Sequence, residues 1–113
     1  MKHDLKAYLY DICEAWKQII EFTNNLSFEQ YASNDLVKAA VERKFVTIGE
    51  AMMRIKRDYP ETLERISGNY RIIGFRNVLV HGYDIINDAT VWSAVADSVP
   101  VLLRETEALL VSW

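Results

Sequence analysis

The sequence predicts an all-α protein, an antiparallel bundle of four to five helices built from residues 1–113 as one domain. Three observations point there. Breakers are scarce, with four Gly and two Pro in 113 residues, which disfavours a many-stranded sheet with its frequent turns. Apolar residues recur at i, i+3, i+4 and i+7 through four long segments, the sign of amphipathic helices. The breaks between these segments are short and carry cap and turn residues, as antiparallel neighbours require.

The first segment, about Asp4 to Asn24, carries Leu5, Leu9, Ile12, Cys13, Trp16, Ile19, Ile20 and Phe22. Asn24-Asn25 ends it. Ser27-Phe28-Glu29-Gln30 reads as a capping box, in which Ser27 and Gln30 satisfy each other's backbone N–H groups and open a short helix. Ser33-Asn34 offers the next N-cap. The second long segment, about Asp35 to Asp58, carries Leu36, Ala40, Val41, Phe45, Ile48, Ala51, Met52 and Ile55. Gly49 inside it costs about 1 kcal/mol relative to Ala, a cost that a close helix–helix contact would explain. Tyr59-Pro60 stops this helix, because Pro disfavours a helical residue before it. Pro60 can also start a short turn over Glu61 to Ile66. After Ser67-Gly68-Asn69, a segment from about Tyr70 to His81 ends at Gly82, where a left-handed cap is easy. A loop spans Asp84 to Asp88, with Asp88 as the expected N-cap of the last helix. That helix runs from about Ala89 to the C-terminus on a stripe of Val91, Trp92, Val95, Val99, Leu102, Leu103, Thr106, Leu109 and Leu110. Pro100 should kink it.

Composition excludes several classes. Cys13 is the one cysteine, so no internal disulfide forms, and on an apolar helical face it reads as a reduced core thiol. No apolar run resembles a signal peptide or approaches the ~18 residues of a spanning helix. The expected compartment is the cytoplasm, with no membrane partner. No CxxC or HExxH pattern occurs, and His3 and His81 are the only histidines, so neither a metal nor a cofactor is expected. The net charge of −3 argues against a general nucleic-acid binder, but its distribution is uneven. Lys38 to Arg76 holds nine Lys/Arg and five acids, +4 locally, against −7 for the remainder. A basic middle can attract a phosphate backbone; solvated helix faces would give the same pattern.

The stretch that carries chemistry is Arg71-Ile72-Ile73-Gly74-Phe75-Arg76-Asn77-Val78-Leu79-Val80-His81-Gly82-Tyr83. On a helical wheel with Arg76 at zero, Phe75, Val78 and Leu79 fall at about 260°, 200° and 300°, the expected core face. Arg76, Asn77 at about 100° and His81 at about 140° fall on the other side, the expected polar edge. Asn77 and His81 are i, i+4 neighbours, so the amide can orient the imidazole. Tyr83, seven residues after Arg76, lies nearly in line with it if the helix continues. These types suit phosphodiester chemistry. Imidazole can move the proton of a ribose 2′-hydroxyl or of a leaving oxygen. Guanidinium grips phosphate with two prongs and opposes charge growing in the transition state. On spacing alone, a histidine after apolar residues is more often a satisfied structural group, and an Arg five residues earlier is commonplace.

Arg76, four residues, His81, one residue and Tyr83 resemble the HEPN motif. Gly74-Phe75-Arg76-Asn77 followed by His81-Gly82-Tyr83 resembles its HepT-like branch. Ile48-Gly49-Glu50-Ala51, Tyr59-Pro60 and the closing Val91-Trp92 helix with Pro100 follow in that family's order, so the resemblance covers nearly the whole chain. Gly68-Asn69-Tyr70-Arg71 departs from the Trp-containing approach of many members. The resemblance implies a HEPN-like helical bundle that dimerises and places two motif helices across a shared cleft. It also implies a metal-independent ribonuclease with Arg76 and His81 catalytic and Asn77 supporting. It further implies a toxin paired with a small nucleotidyltransferase antitoxin, which would transfer AMP to Tyr83. Tyr8, Tyr10, Val37, Val46 and Trp113, off the main stripes, are candidates for the dimer interface.

Two other functions compete with an RNA-cleaving toxin. One is a non-catalytic helical subunit that binds and regulates a nucleotidyltransferase, which the overall acidity and the lack of basic–aromatic interleaving favour. The other is a nucleotide-binding subunit whose Arg76 recognises phosphate without cleavage. The complete Arg/His pair favours the enzyme.

Overall fold

A computed structural model describes residues 3–81 and 87–112. The helices are α1 (His3–Thr23), α2 (Phe28–Ala32), α3 (Asp35–Asp58), α4 (Pro60–Leu63), α5 (Asn69–His81), α6 (Asp88–Ser93) and α7 (Val99–Val111). A π-helical turn, Ala94–Ser98, joins α6 to α7. There is no strand among the described residues.

Local chemistry sets most boundaries. Asn25 takes a left-handed φ of 64° just past α1, a conformation that Asn tolerates better than most residues. The capping box forms as expected: the Gln30 N–H donates to Ser27 Oγ at 3.1 Å, and the Ser27 N–H donates to Gln30 Oε1 at 2.8 Å. Asn34 Oδ1 accepts from the Val37 N–H at 3.0 Å and opens α3. Tyr59 closes α3, and Pro60 occupies the first turn of α4. Gly68, at φ 65°, turns the chain into α5. Asn69 Nδ2 donates to the carbonyls of Leu63 and Ile66 at 3.1 and 2.9 Å, satisfying acceptors that the ending turn leaves open.

One expectation for the last segment is corrected, and the disturbance expected at Pro100 takes a specific form. The N-cap of α6 is Asn87, not Asp88: Asn87 has extended backbone, and its Oδ1 accepts from the N–H groups of Ala89 and Thr90 at 2.8 and 3.3 Å. Asp88 is already helical, and its carboxylate pairs with Lys38 at 3.2 Å, tying α6 to α3. The irregularity before Pro100 is the π-helical turn. Proline lacks an N–H and its ring crowds the carbonyl four residues back. Next to it the ladder widens, and the Val99 N–H reaches the carbonyl of Ala94, five residues back.

α3 lies at the centre, packed against α1 on one flank and α5 on the other, while α7 packs against α1. Leu9, Ile12, Trp16 and Ile19 of α1 and Val41, Phe45, Ile48, Met52 and Ile55 of α3 are fully buried. Phe45 links three helices: its ring meets Trp16 of α1 edge-on at 6.0 Å and Phe75 of α5 at 5.0 Å. Trp92 of α6 lies against Tyr31 of α2, centroids 5.1 Å apart. Cys13 is a buried free thiol, and burial pushes its pKa up, disfavouring the thiolate. Leu36 and Ile20, expected on the stripes, are instead exposed. Leu36 is nine residues before Phe45, which turns it about 180° away on the helix. Ile20 follows buried Ile19 by one residue and so points about 100° aside. Of the candidate interface residues, Tyr10 is exposed, whereas Tyr8 and Val37 pack against the core. Trp113 lies outside the described residues. No helix among the described residues is long and apolar enough to cross a membrane.

Candidate active site

α5 carries the candidate residues, and α3 is the one helix along which it packs extensively. Its buried position is Ile72; Ile73, Phe75 and Leu79 are partly buried against the core. Val78, expected on the core face, is 42% exposed. The reason is rotational. The contacts with α3 centre between Phe75 and Arg76 on the wheel, near Leu79, and Val78 lies about 100° from that direction. The same rotation corrects Arg76. It was expected on the polar edge, but it faces α3 and its side chain is only 18% exposed.

Gly49 makes this possible. A Cβ at Gly49 would lie 2.7 Å from Arg76 Cγ and closer still to Arg76 Cβ. The close approach anticipated for this glycine is therefore the seat of the Arg76 stem. From there the guanidinium reaches two oxygens. Arg76 Nη2 donates to Glu50 Oε1 at 3.3 Å, and Nη1 donates to Asn77 Oδ1 at 3.0 Å. Nε is buried without a hydrogen-bond partner. Each terminal nitrogen has a second N–H beyond these bonds. Glu50, 44% exposed in its side chain, fixes the fork at the surface.

His81 is the last residue of α5 and is exposed. It lies about 7.5 Å along the axis and about 140° around it from Arg76. No side-chain hydrogen bond joins Asn77 to His81 among the described residues; the Asn77 amide serves Arg76 instead. One chain therefore presents a braced guanidinium and an exposed imidazole on different sides of one helix. Tyr83 and Gly82 lie outside the described residues. Among the described residues, no group of three or more His, Cys, Asp or Glu is placed to hold a metal ion. Sequence reasoning gave Glu50 no role in the site. Its partner is 26 positions away, and the signals were its place beside Gly49 and in the Ile48-Gly49-Glu50-Ala51 string.

Depressions lie on both sides of α5. One, of about 700 Å³, lies between α5 and the α6–π segment and is lined by Gly74, Phe75, Val78, Thr90, Ser93 and Asp97 among others. The other, of about 520 Å³, lies on the α3 side and is lined by Glu50, Met53, Arg54, Arg57 and Arg76.

Comparison with known proteins decides the family. The sequence model of the family described as "Ribonuclease HepT-like" matches residues 12–109. The chain belongs to the HepT-like ribonuclease family. Among its relatives is a Methanocaldococcus jannaschii protein named "Putative RNase MJ1380", 35% identical over 106 residues that cover 94% of this chain and 96% of the relative. A second protein of that organism, "Putative RNase MJ1216", is 36% identical over 109 residues, 96% of this chain and 89% of the relative. "Probable ribonuclease HepT" of Thermococcus cleftensis is 32% identical over 109 residues, 96% of this chain and 98% of the relative. No solved structure matches the chain significantly. The HepT-like segment thus spans every element named above except the start of α1 and the last residues of α7.

Proposed function

We propose that this HepT-like chain is a metal-independent endoribonuclease, the toxin of a toxin–antitoxin pair, with Arg76 and His81 as its catalytic residues. The observation that carries the reading is the state of Arg76. Its stem is wedged on Gly49 and its fork is held by Glu50 and Asn77, so the remaining N–H groups are fixed in direction at the surface. A pre-oriented cation stabilises developing charge without reorganising during the reaction.

In this reading His81 takes the proton of a ribose 2′-hydroxyl. The oxygen attacks the adjacent phosphorus, and the bond to the 5′-oxygen of the next nucleotide breaks. That leaving oxygen needs a proton, and the products are a 2′,3′-cyclic phosphate and a 5′-hydroxyl end. Arg76 opposes the negative charge that grows on the phosphoryl oxygens. One imidazole cannot hold base and acid roles at once. The second is supplied by His81 of another copy, which makes the working unit a homodimer with the two α5 helices facing one cleft. Light scattering should give a dimer at micromolar concentration; a monomer that still cleaves RNA contradicts this assembly.

The toxin role brings a partner, a small nucleotidyltransferase antitoxin that transfers AMP to Tyr83. Tyr83 follows His81 by two residues. A phosphate there would pair with cations of the site, and the nucleoside would fill the space meant for RNA. With the partner enzyme, ATP and Mg²⁺, the chain should gain adenylate mass. Tyr83→Phe should abolish that gain and leave cell growth arrested despite the antitoxin. An unchanged adduct on Tyr83→Phe places the acceptor elsewhere.

A second reading, a non-catalytic subunit that binds a nucleotidyltransferase, draws support from one feature. Arg76 is mostly buried and ion-paired, as a purely structural arginine would be. The two readings part on RNA cleavage by the purified chain.

A further inference from the structure

We propose that the depression beside Arg76 is an RNA phosphate subsite, in which Arg54 and Arg57 of α3 hold the phosphates next to the one that is cut. The inference rests on the ribonuclease reading and gives that reading a strand path.

The geometry begins with spacing. Arg54 follows Glu50 by four residues and Arg57 follows it by seven, so all three lie on one stripe of α3. The stripe puts one guanidinium on each successive helical turn beyond the Glu50–Arg76 pair, a rise of about 5 Å per turn. That interval is comparable to the step between phosphates along a single strand. Arg76, Arg54 and Arg57 all line the same depression of about 520 Å³.

The charges are arranged for an anion. Three guanidiniums line the depression against one carboxylate, Glu50, and that carboxylate is committed to Arg76. Arg54 is exposed and forms no ion pair among the described residues. Arg57 donates through Nε and Nη2 to Asp58, both at 2.9 Å, which leaves Nη1 unused by that pair. The pair is bidentate but exposed, 67% on the arginine side, so water and salt screen it. A phosphate can compete for such an arginine. Met53, 39% exposed, adds apolar surface between the cations, suited to a ribose or a base face. The larger depression across α5 has no such bias: Arg71 and Asp97 oppose one another in its lining.

Neutralising phosphates releases counterions, so binding weakens with salt by a logarithmic slope of about 0.7 for each phosphate contact on a single strand. The test uses a short fluorescent 2′-O-methyl oligouridine, which cannot form the attacking 2′-oxyanion and so is bound without being cut. Its affinity is measured by anisotropy across a salt series for the wild type and for Arg54→Gln/Arg57→Gln. The slope should fall by about 1.4. KM for the cleavable oligouridine should rise about tenfold or more, with kcat within about twofold. Lys56→Gln/Arg65→Gln removes two charges from the same basic stretch outside the depression and should keep the wild-type slope. Arg54→Lys/Arg57→Lys retains the charge and should restore most of the slope, which guards against a folding defect in the glutamine variant.

An unchanged slope in Arg54→Gln/Arg57→Gln, with the wild type binding and cutting RNA, overturns the subsite and leaves the ribonuclease reading intact. A fall in kcat with KM unchanged also overturns it, since the pair would then act through Arg76. Loss of self-association with the slope intact would assign the stripe to a protein contact instead. If the wild type neither binds nor cuts RNA, the ribonuclease reading fails and the subsite fails with it.

Discussion

Replacing His81 by alanine should lower RNA cleavage by about 10²–10⁴-fold while leaving the melting temperature near that of the wild type. The magnitude is that of one general acid–base group. Stability should hold because His81 is exposed at the last position of α5 and its side chain makes no hydrogen bond among the described residues. Arg76→Ala should cost about 10²–10³-fold, the loss of one oriented charge-stabilising group. Unlike His81→Ala, it should also lower stability somewhat, because it strips the packing above Gly49 and leaves Glu50 unpaired. Arg76→Lys should remain impaired, since an ammonium cannot hold Glu50, Asn77 and a phosphate in fixed directions together. Cleavage assays alongside thermal melts measure both quantities. Undiminished cleavage by His81→Ala would remove it from the reaction.

The second large effect is expected at Gly49 and is opposite in sign to that at Gly74. Both are helical glycines, and alanine should favour each helix by up to about 1 kcal/mol. At Gly49 the new Cβ would overlap Cβ and Cγ of Arg76. Those atoms sit close to the backbone of α5 and cannot swing away as a flexible tip can. The two helices must part, and overpacking of this kind costs about 1–3 kcal/mol. Gly49→Ala should therefore lower the melting temperature by several degrees, and Gly49→Val by more. Each should reduce cleavage through the displaced Arg76. At Gly74 nothing among the described residues lies within 4 Å of an added Cβ, so Gly74→Ala should raise the stability of the folded chain. Equal melting temperatures for Gly49→Ala and the wild type would contradict the packing of α3 on α5.

Much of the fold was legible because its boundaries are local. The Ser27–Gln30 capping box, the Asn34 cap and the Tyr59-Pro60 stop each depend on residues within four positions of one another. Where two adjacent residues cap equally well, as Asn87 and Asp88 do, the choice fell to a distant partner: Lys38 takes the Asp88 carboxylate. The proline near residue 100 announced an irregularity, but not that a π-helical turn would absorb it.

The site was legible in composition and less so in orientation. Ile72, Ile73, Phe75, Val78, Leu79 and Val80 surround α5 with apolar positions, so its wheel has no single greasy side to reveal which direction meets α3. The periodicity alone therefore puts Arg76 on the open edge and Val78 in the core, the reverse of their positions. Spacing also suggested that Asn77 would serve His81. The ion pair between Glu50 and Arg76, which recruits Asn77 to the arginine, depends on tertiary packing across 26 positions. Gly49 was the one local clue, a costly glycine that close contact would explain, and the contact proved to be with the candidate catalytic arginine.

In the proposed reaction, Arg76 and His81 cleave RNA by moving protons and stabilising charge, without a metal ion. The most direct measurement is mass spectrometry of oligoribonucleotide fragments produced by the purified wild-type chain in excess EDTA, with His81→Ala run beside it. Wild-type cleavage should be undiminished, with 2′,3′-cyclic phosphate and 5′-hydroxyl ends, and the variant should give almost no product. Cleavage that stops in EDTA and returns with Mg²⁺, leaving 3′-hydroxyl and 5′-phosphate ends, would contradict it.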